Sequence, residues 1–134
     1  NVSLVGKVPI NQVAEEIARA DVCLGIFGSS SKALRAIPNK VYECIAMGKP
    51  VVTADTHGMR EYFTDRKNVV FSLVNDPKSL YTRLREVLGD KDLANTVGEG
   101  GRKLFESTFT SRVLVKNMLA SVYDQRRNNI TKSS

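Results

Sequence analysis

Three short runs in which consecutive residues are apolar constrain this chain most: VCLGIF over 22–27, PVVTAD over 50–55 and NVVFSL over 68–73. A strand with one wet face alternates apolar and polar residues. A strand covered on both faces has no reason to alternate, and such strands belong to parallel sheets. Parallel neighbours need a long crossover, usually a helix. The segments between the runs have helical spacing, so a right-handed β–α–β succession is expected. The fold class predicted is α/β, a doubly wound, mostly parallel sheet with further helices at the C-terminal end.

The remaining elements follow from periodicity and punctuation. Val2 to Val5 reads as a further short strand ending at Gly6. Val13, Ala14, Ile17 and Ala18 form a helical stripe, with Glu15, Glu16 and Arg19 opposite. GSSSKA after Phe27 is turn-like. Pro38 suits a first helical turn, and the helix it opens buries Val41, Ile45 and Cys44 before stopping at Gly48. HGMREYF is a short helix opened by Gly58. Asp76-Pro77 starts a helix with Leu80, Leu84, Val87 and Leu88 on one face. The next helix begins near Asp90 with Leu93, Ala94 and Val97, and its pattern breaks at Gly98-Glu99-Gly100-Gly101 before resuming at Leu104 and Phe105. The last starts at Thr110-Ser111 and carries Leu114, Met118, Leu119 and Val122. Residues 1–125 are expected to form one domain and 126–134 a polar, basic tail.

Composition narrows the class. Apolar residues make up 42% of the 134 and charged residues 25%, the balance of a soluble globular domain with one core. No run approaches the ~18 apolar residues of a membrane span. NVSLVGKV lacks the layout of a signal peptide, and with no initiator Met the chain reads as a piece of something longer. The net charge of +6 fits an anionic partner or simply a solvated surface. Cys23 and Cys44 have no metal-site spacing and read as free thiols in a reducing, cytoplasmic setting. There is no metal cluster, nucleophile elbow or Walker-type loop. No aromatic ladder or basic helix stripe points to nucleic acid.

In a doubly wound sheet the ligand lies beyond the carboxyl ends of the strands, which selects the loops after Gly6, Phe27, Asp55 and Leu73. Within Ile37 to Asp55, Lys40 occupies a first helical turn, where a cation is disfavoured by ~0.3–1 kcal/mol. Glu43 follows three residues later, the weaker order for an ion pair. A free helix N-terminus beside a Lys cradles phosphate well. A solvated Lys–Glu pair on an exposed face is the more ordinary reading of that spacing alone. Lys40, Glu43 and Met47 share a face distinct from Val41 and Ile45, which leaves Glu43 free to meet a ligand. His57, Glu61 and Asp55 are weaker candidates, each with an ordinary surface or capping role as the alternative.

The stretches ADVCLGIFG and IPNKVYECIAMGKPVVTADTHGMREYF, with VSLVGKVP upstream and D-P-x-x-L downstream, resemble the nucleotide-sugar-binding domain of the retaining, two-domain GT-B glycosyltransferases of family 4. The resemblance implies that Glu43 accepts hydrogen bonds from the ribose hydroxyls of the donor. It implies that the backbone at Lys40 and Val41 holds the diphosphate, and that Val8 and Pro9 meet the nucleobase edge. Arg35 stands where the family has a sugar-contacting Glu, eight residues before Glu43, so the loop at Gly28 and Ser29 is expected to read the sugar while Arg35 faces solvent. The alternative is that Arg35 reaches the phosphates. Glu61 matches the family's second Glu.

The resemblance further implies that the Arg and Lys clamping the leaving diphosphate lie upstream of the chain, so no catalytic residue is assigned within it. The substrate is a UDP- or GDP-linked sugar, with no metal or other cofactor expected. The acceptor is a glycan or lipid-linked saccharide bound by a separate N-terminal domain, in polysaccharide biosynthesis, with peripheral membrane association of the parent. In the family's strand order, 3-2-1-4-5-6, the VSLV and VCLGIF strands flank positions this chain does not supply. They either pair directly or are covered by another copy, and a homo-oligomer is expected. The chain alone is expected to be inactive. Two other readings remain: an epimerase of the same double-Rossmann build, and a non-catalytic basic binding module.

Overall fold

A computed structural model of the chain describes residues 2–120; the basic tail, Asn1 and Val122 lie outside the described residues. A 3₁₀ turn at Ile10–Gln12 leads into α1 (Val13–Arg19), followed by β1 (Cys23–Leu24), α2 (Ser31–Arg35), α3 (Asn39–Ala46) and β2 (Val51–Ala54). Then come α4 (His57–Arg60), β3 (Val70–Ser72), α5 (Pro77–Gly89), α6 (Lys91–Leu104) and a π-helical turn at Phe105–Phe109. Residues 111–120 are helical.

The three strands are parallel and lie in chain order β1-β2-β3, with Cys23 opposite Val51 and Val52 opposite Val70. Backbone bonding carries β1 beyond its two regular residues: Gly25 N–H donates to Val52 O at 2.9 Å, and Ala54 N–H to Ile26 O at 3.2 Å. All four residues of the central β2 are buried, which is why its sequence does not alternate. Val51 and Phe71 face Val41 and Ile45 of α3 and Met59 of α4. Val52 and Val70 face Val87 of α5 and Val97 of α6. Helices therefore cover both faces, and the fold is doubly wound α/β as expected.

Helix ends explain much of the local order. Asp76 caps α5 by accepting from the backbone N–H of Lys78 and Ser79, both at 2.9 Å. Past the end of α3, Gly48 takes φ +69°. Its N–H donates to Ile45 O at 2.9 Å, and that of Lys49 to Cys44 O at 3.1 Å, the paired bonds of a Schellman turn.

Several expectations are corrected. Val2 to Val5 forms no strand; Val2 and Leu4 are 90% and 97% exposed and nothing pairs with them among the described residues. The run bonds to neither outer strand of the sheet, β1 or β3. β1 is accordingly an edge, and Leu24 and Ile26 are 41% and 39% exposed rather than covered. GSSSKA is not merely a turn, because Ser30 Oγ accepts from Ala33 N–H at 3.2 Å and starts α2. α4 is opened by Thr56, whose Oγ1 accepts from Met59 N–H at 3.3 Å, and not by Gly58. Gly98 to Gly101 does not interrupt α6. Those glycines are its contact face: a Cβ on Gly98 would strike Gly48 O, one on Gly100 would strike Lys67 O, and one on Gly101 would lie 3.0 Å from Ile45 Cγ2. Leu88, Leu114, Met118 and Leu119, expected on buried stripes, are exposed. No helix among the described residues is long and apolar enough to cross a membrane.

Candidate functional site

The site grows from the way α3 begins. Pro38 precedes it with φ −66° and ψ 139° and gives no side-chain cap. Its carbonyl accepts from Val41 N–H at 2.9 Å. The open donors of the first turn are therefore the amides of Asn39 and Lys40, one residue earlier than the Lys40–Val41 pair that the family resemblance implied. Val41 itself is fully buried and only anchors the helix to the core.

Asn39 and Lys40 line a cavity of about 650 Å³ between the carboxyl end of β1, α2 and the start of α3. Its wall combines the apolar Ile26, Ala33, Ala36 and Ile37 with the polar Ser30, Lys32, Asn39 and Lys40. An apolar shelf with a few polar groups at the end of a parallel sheet is the usual form of a small-molecule site. A helix N-terminus and an ammonium group at its rim favour an anion. Lys40 belongs to this wall. Glu43 lies one turn further along α3, exposed and outside the wall. Lys40 and Glu43 do not pair: neither makes an ion pair or side-chain hydrogen bond among the described residues.

The loop after β1 is tied to the loop after β3. Asn75 Nδ2 donates to Ser29 Oγ at 2.7 Å, and Asn75 N–H to Phe27 O at 3.1 Å. Gly28 lines a second cavity of about 380 Å³ with Phe27, Asn75 and Asp76. Sequence reasoning missed Asn75, although an Asn before Asp-Pro is a signal for the left-handed backbone it adopts, φ 53°. It also missed Lys32.

Other candidates are placed elsewhere. Arg35 turns back along α2, its Nε donating to Ser31 O at 3.1 Å, and does not line the cavity. His57, at the start of α4, and Glu61, just past its end, stand outward with Nε2 and Oε1 3.9 Å apart. Asp55 is gripped by Arg60 through bonds of 2.6 and 2.7 Å, which hold its carboxyl below the usual carboxylate range. Val8 is half-buried, and Pro9 O accepts from Gln12 N–H at 2.9 Å; neither lines the cavity. Cys23 and Cys44 are buried free thiols in one core cluster; their mutual interaction lowers the pKa of the Cys23 thiol and, with burial, pushes that of Cys44 up. Among the described residues no three His, Cys, Asp or Glu side chains gather as a metal site.

A family model described as Glycosyl transferase-like matches residues 1–120. The chain belongs to that family. A curated relative, spore coat protein SA of Bacillus subtilis (strain 168), is 26% identical over 114 residues, which is 84% of this chain and 30% of that protein. Among solved structures, sucrose-phosphate synthase from Thermosynechococcus elongatus superposes with a TM-score of 0.75 at 20% identity, over 95% of this chain and 30% of its own. Anabaena HepE in complex with UDP follows at 0.71 and 16%, over 84% of this chain and 30% of its own. The C-terminal domain of a glycosyl transferase group 1 protein, LpcC from Francisella tularensis, gives 0.65 and 13%, over 80% of this chain and 53% of its own. The likeness to these structures is one of fold. This glycosyl transferase-like chain spans about 30% of the length of the curated relative.

Proposed function

We propose that this chain is the nucleotide-sugar-binding portion of a retaining, family 4 glycosyltransferase, taking a UDP- or GDP-linked sugar as substrate. The diphosphate rests on the amides of Asn39 and Lys40 with the Lys40 ammonium beside it. Glu43, acceptor-only when ionised, takes two hydrogen bonds from the ribose diol. Val8 and Pro9 meet the base, and the Gly28–Ser29 loop meets the sugar. The observation that carries this reading is the cavity at the carboxyl end of β1, bordered by the open first turn of α3. The UDP and UDP-glucose complexes of the structural relative HepE support it.

The acceptor, a glycan or lipid-linked saccharide, binds outside this chain, in a parent that works at the cytoplasmic side of a membrane. The Arg and Lys that clamp the leaving diphosphate also lie outside it, so the chain alone does not turn over. No metal or further cofactor enters the proposal. Titration calorimetry of the chain against UDP-glucose, UDP, GDP-mannose and GDP tests it. Saturable binding of at least one nucleotide family, weakened in Lys40→Ala, is expected. No heat with any of them at millimolar concentration overturns it.

A further inference from the structure

We infer that Lys32 is a second phosphate-binding cation of this site, sharing the cavity with Lys40 and setting its preference for a nucleoside diphosphate over a monophosphate. The inference rests on the donor-site reading above and extends it to a residue that reading leaves without a role.

The cavity wall is basic with no acidic counterweight. Its nine residues include Lys32 and Lys40 and no Asp or Glu. The nearest arginine on the same helix as Lys32, Arg35, does not offset this charge either, since it is itself a cation and bonds back to Ser31 O. Among the described residues neither Lys32 nor Lys40 reaches a carboxylate. Two ammonium groups on one concave surface repel each other, and a multiply charged anion between them relieves that repulsion. A diphosphate brings two phosphoryl groups, one for each ammonium, whereas a monophosphate brings one.

The local chain course selects Lys32 over its neighbour. α2 places Lys32 on the cavity wall, while Arg35, three residues on, bonds back to Ser31 O at 3.1 Å and faces away. Ser30 completes the group. Its Oγ accepts from Ala33 N–H, which leaves the hydroxyl proton free to donate to a phosphate oxygen. In sugar transfer the same ammonium would meet the charge that develops on the departing diphosphate.

The test is calorimetric titration of the full chain and of Lys32→Ala, Lys32→Arg and Lys116→Ala with UDP, GDP, UMP and GMP, at two salt concentrations. Lys116 is an exposed lysine on residues 111–120 and controls for net charge. Lys32→Ala should weaken the bound diphosphate at least about tenfold and the matching monophosphate much less, with a shallower salt dependence. Lys32→Arg should recover most of the loss. If wild type binds a diphosphate and Lys32→Ala behaves like Lys116→Ala, the role of Lys32 is refuted while the donor site stands. An equal loss for mono- and diphosphate refutes the discrimination. If wild type binds no nucleotide, the donor-site reading fails and this inference with it. Lys32 is exposed, so the variants should fold, and unchanged circular dichroism melting verifies that.

Discussion

Asn75 reaches across from the end of β3 to Ser29 at the end of β1, its Nδ2 donating to Oγ at 2.7 Å, and does so from a left-handed backbone at φ 53°. The loops at the carboxyl ends of the two outer strands are thereby tied together. The bond is exposed, so water can replace it, and the backbone conformation should matter more. Ser29→Ala is expected to stay within about 0.5 kcal/mol of wild type in urea unfolding. Asn75→Ala should cost about 1–2 kcal/mol, because Ala resists positive φ. Asn75→Gly should cost much less. Equal losses for the Ala and Gly variants would show that the hydrogen bond dominates.

Glu43 is exposed on a helix whose buried face is Val41, Cys44 and Ile45. Its removal should leave the fold intact and act on binding alone. Glu43→Ala should weaken nucleotide-sugar affinity by about 1.5–3 kcal/mol, the range for hydrogen bonds to a charged group. Calorimetry with UDP-glucose and with the 2′-deoxy nucleotide checks it. The deoxy ligand should lose affinity with wild type and little more with the variant. An unchanged Glu43→Ala affinity withdraws the ribose role.

What could be read from the sequence was what local pattern decides. β2 announces itself because all its residues are buried, and α5 because Asp76-Pro77 is a cap followed by a first-turn proline. α3, with Lys40 near its start and Val41, Cys44 and Ile45 buried, was legible down to the Gly48 stop. The misses depend on partners far along the chain. Val2 to Val5 has strand residues but joins neither outer strand, and α2 hides in a serine-rich run because the serine before it is its cap. Arg35 drew attention by alignment with a motif, while Lys32 faces the cavity only because of how α2 turns. No spacing rule carries that information.

The glycines of α6 illustrate the same dependence and can be tested. Gly98 packs against Gly48 O so closely that a Cβ has no room, while nothing lies within 4 Å of a Cβ on Gly89. Gly98→Ala should force α6 off the α3–β2 connection and cost about 2–3 kcal/mol. Gly89→Ala, at the end of α5, should be neutral or stabilise by up to about 1 kcal/mol through the unfolded chain. Thermal melts of the two variants in parallel check the contrast. Similar melting points would mean that α6 shifts freely and that its glycines are not a packing face.

The Asp55–Arg60 pair predicts how stability responds to acid. Arg60 donates to both carboxylate oxygens of Asp55, and its guanidinium carbon sits 4.6 Å from the centre of the Phe71 ring. The pair lowers the Asp55 pKa from its ordinary 3.8. A carboxyl whose folded pKa is depressed contributes stability that is complete above its unfolded value and is lost as pH falls through the folded one. The contribution is therefore constant from neutral pH down to about 5 and fades below about 4. Arg60→Ala should cost about 1 kcal/mol at pH 7, a modest figure because both side chains keep contact with water. The difference between wild type and variant should narrow in acid. It should not vanish, because the contact between Arg60 and the Phe71 ring does not depend on an ionised carboxylate. Asp55→Asn should show the complementary pattern, with less stability at pH 7 and a flatter acid limb. Urea unfolding of the three proteins between pH 3 and pH 7 measures this. Parallel acid limbs for wild type and both variants would show that Asp55 titrates as a free carboxylate and that the ion pair does not form in solution.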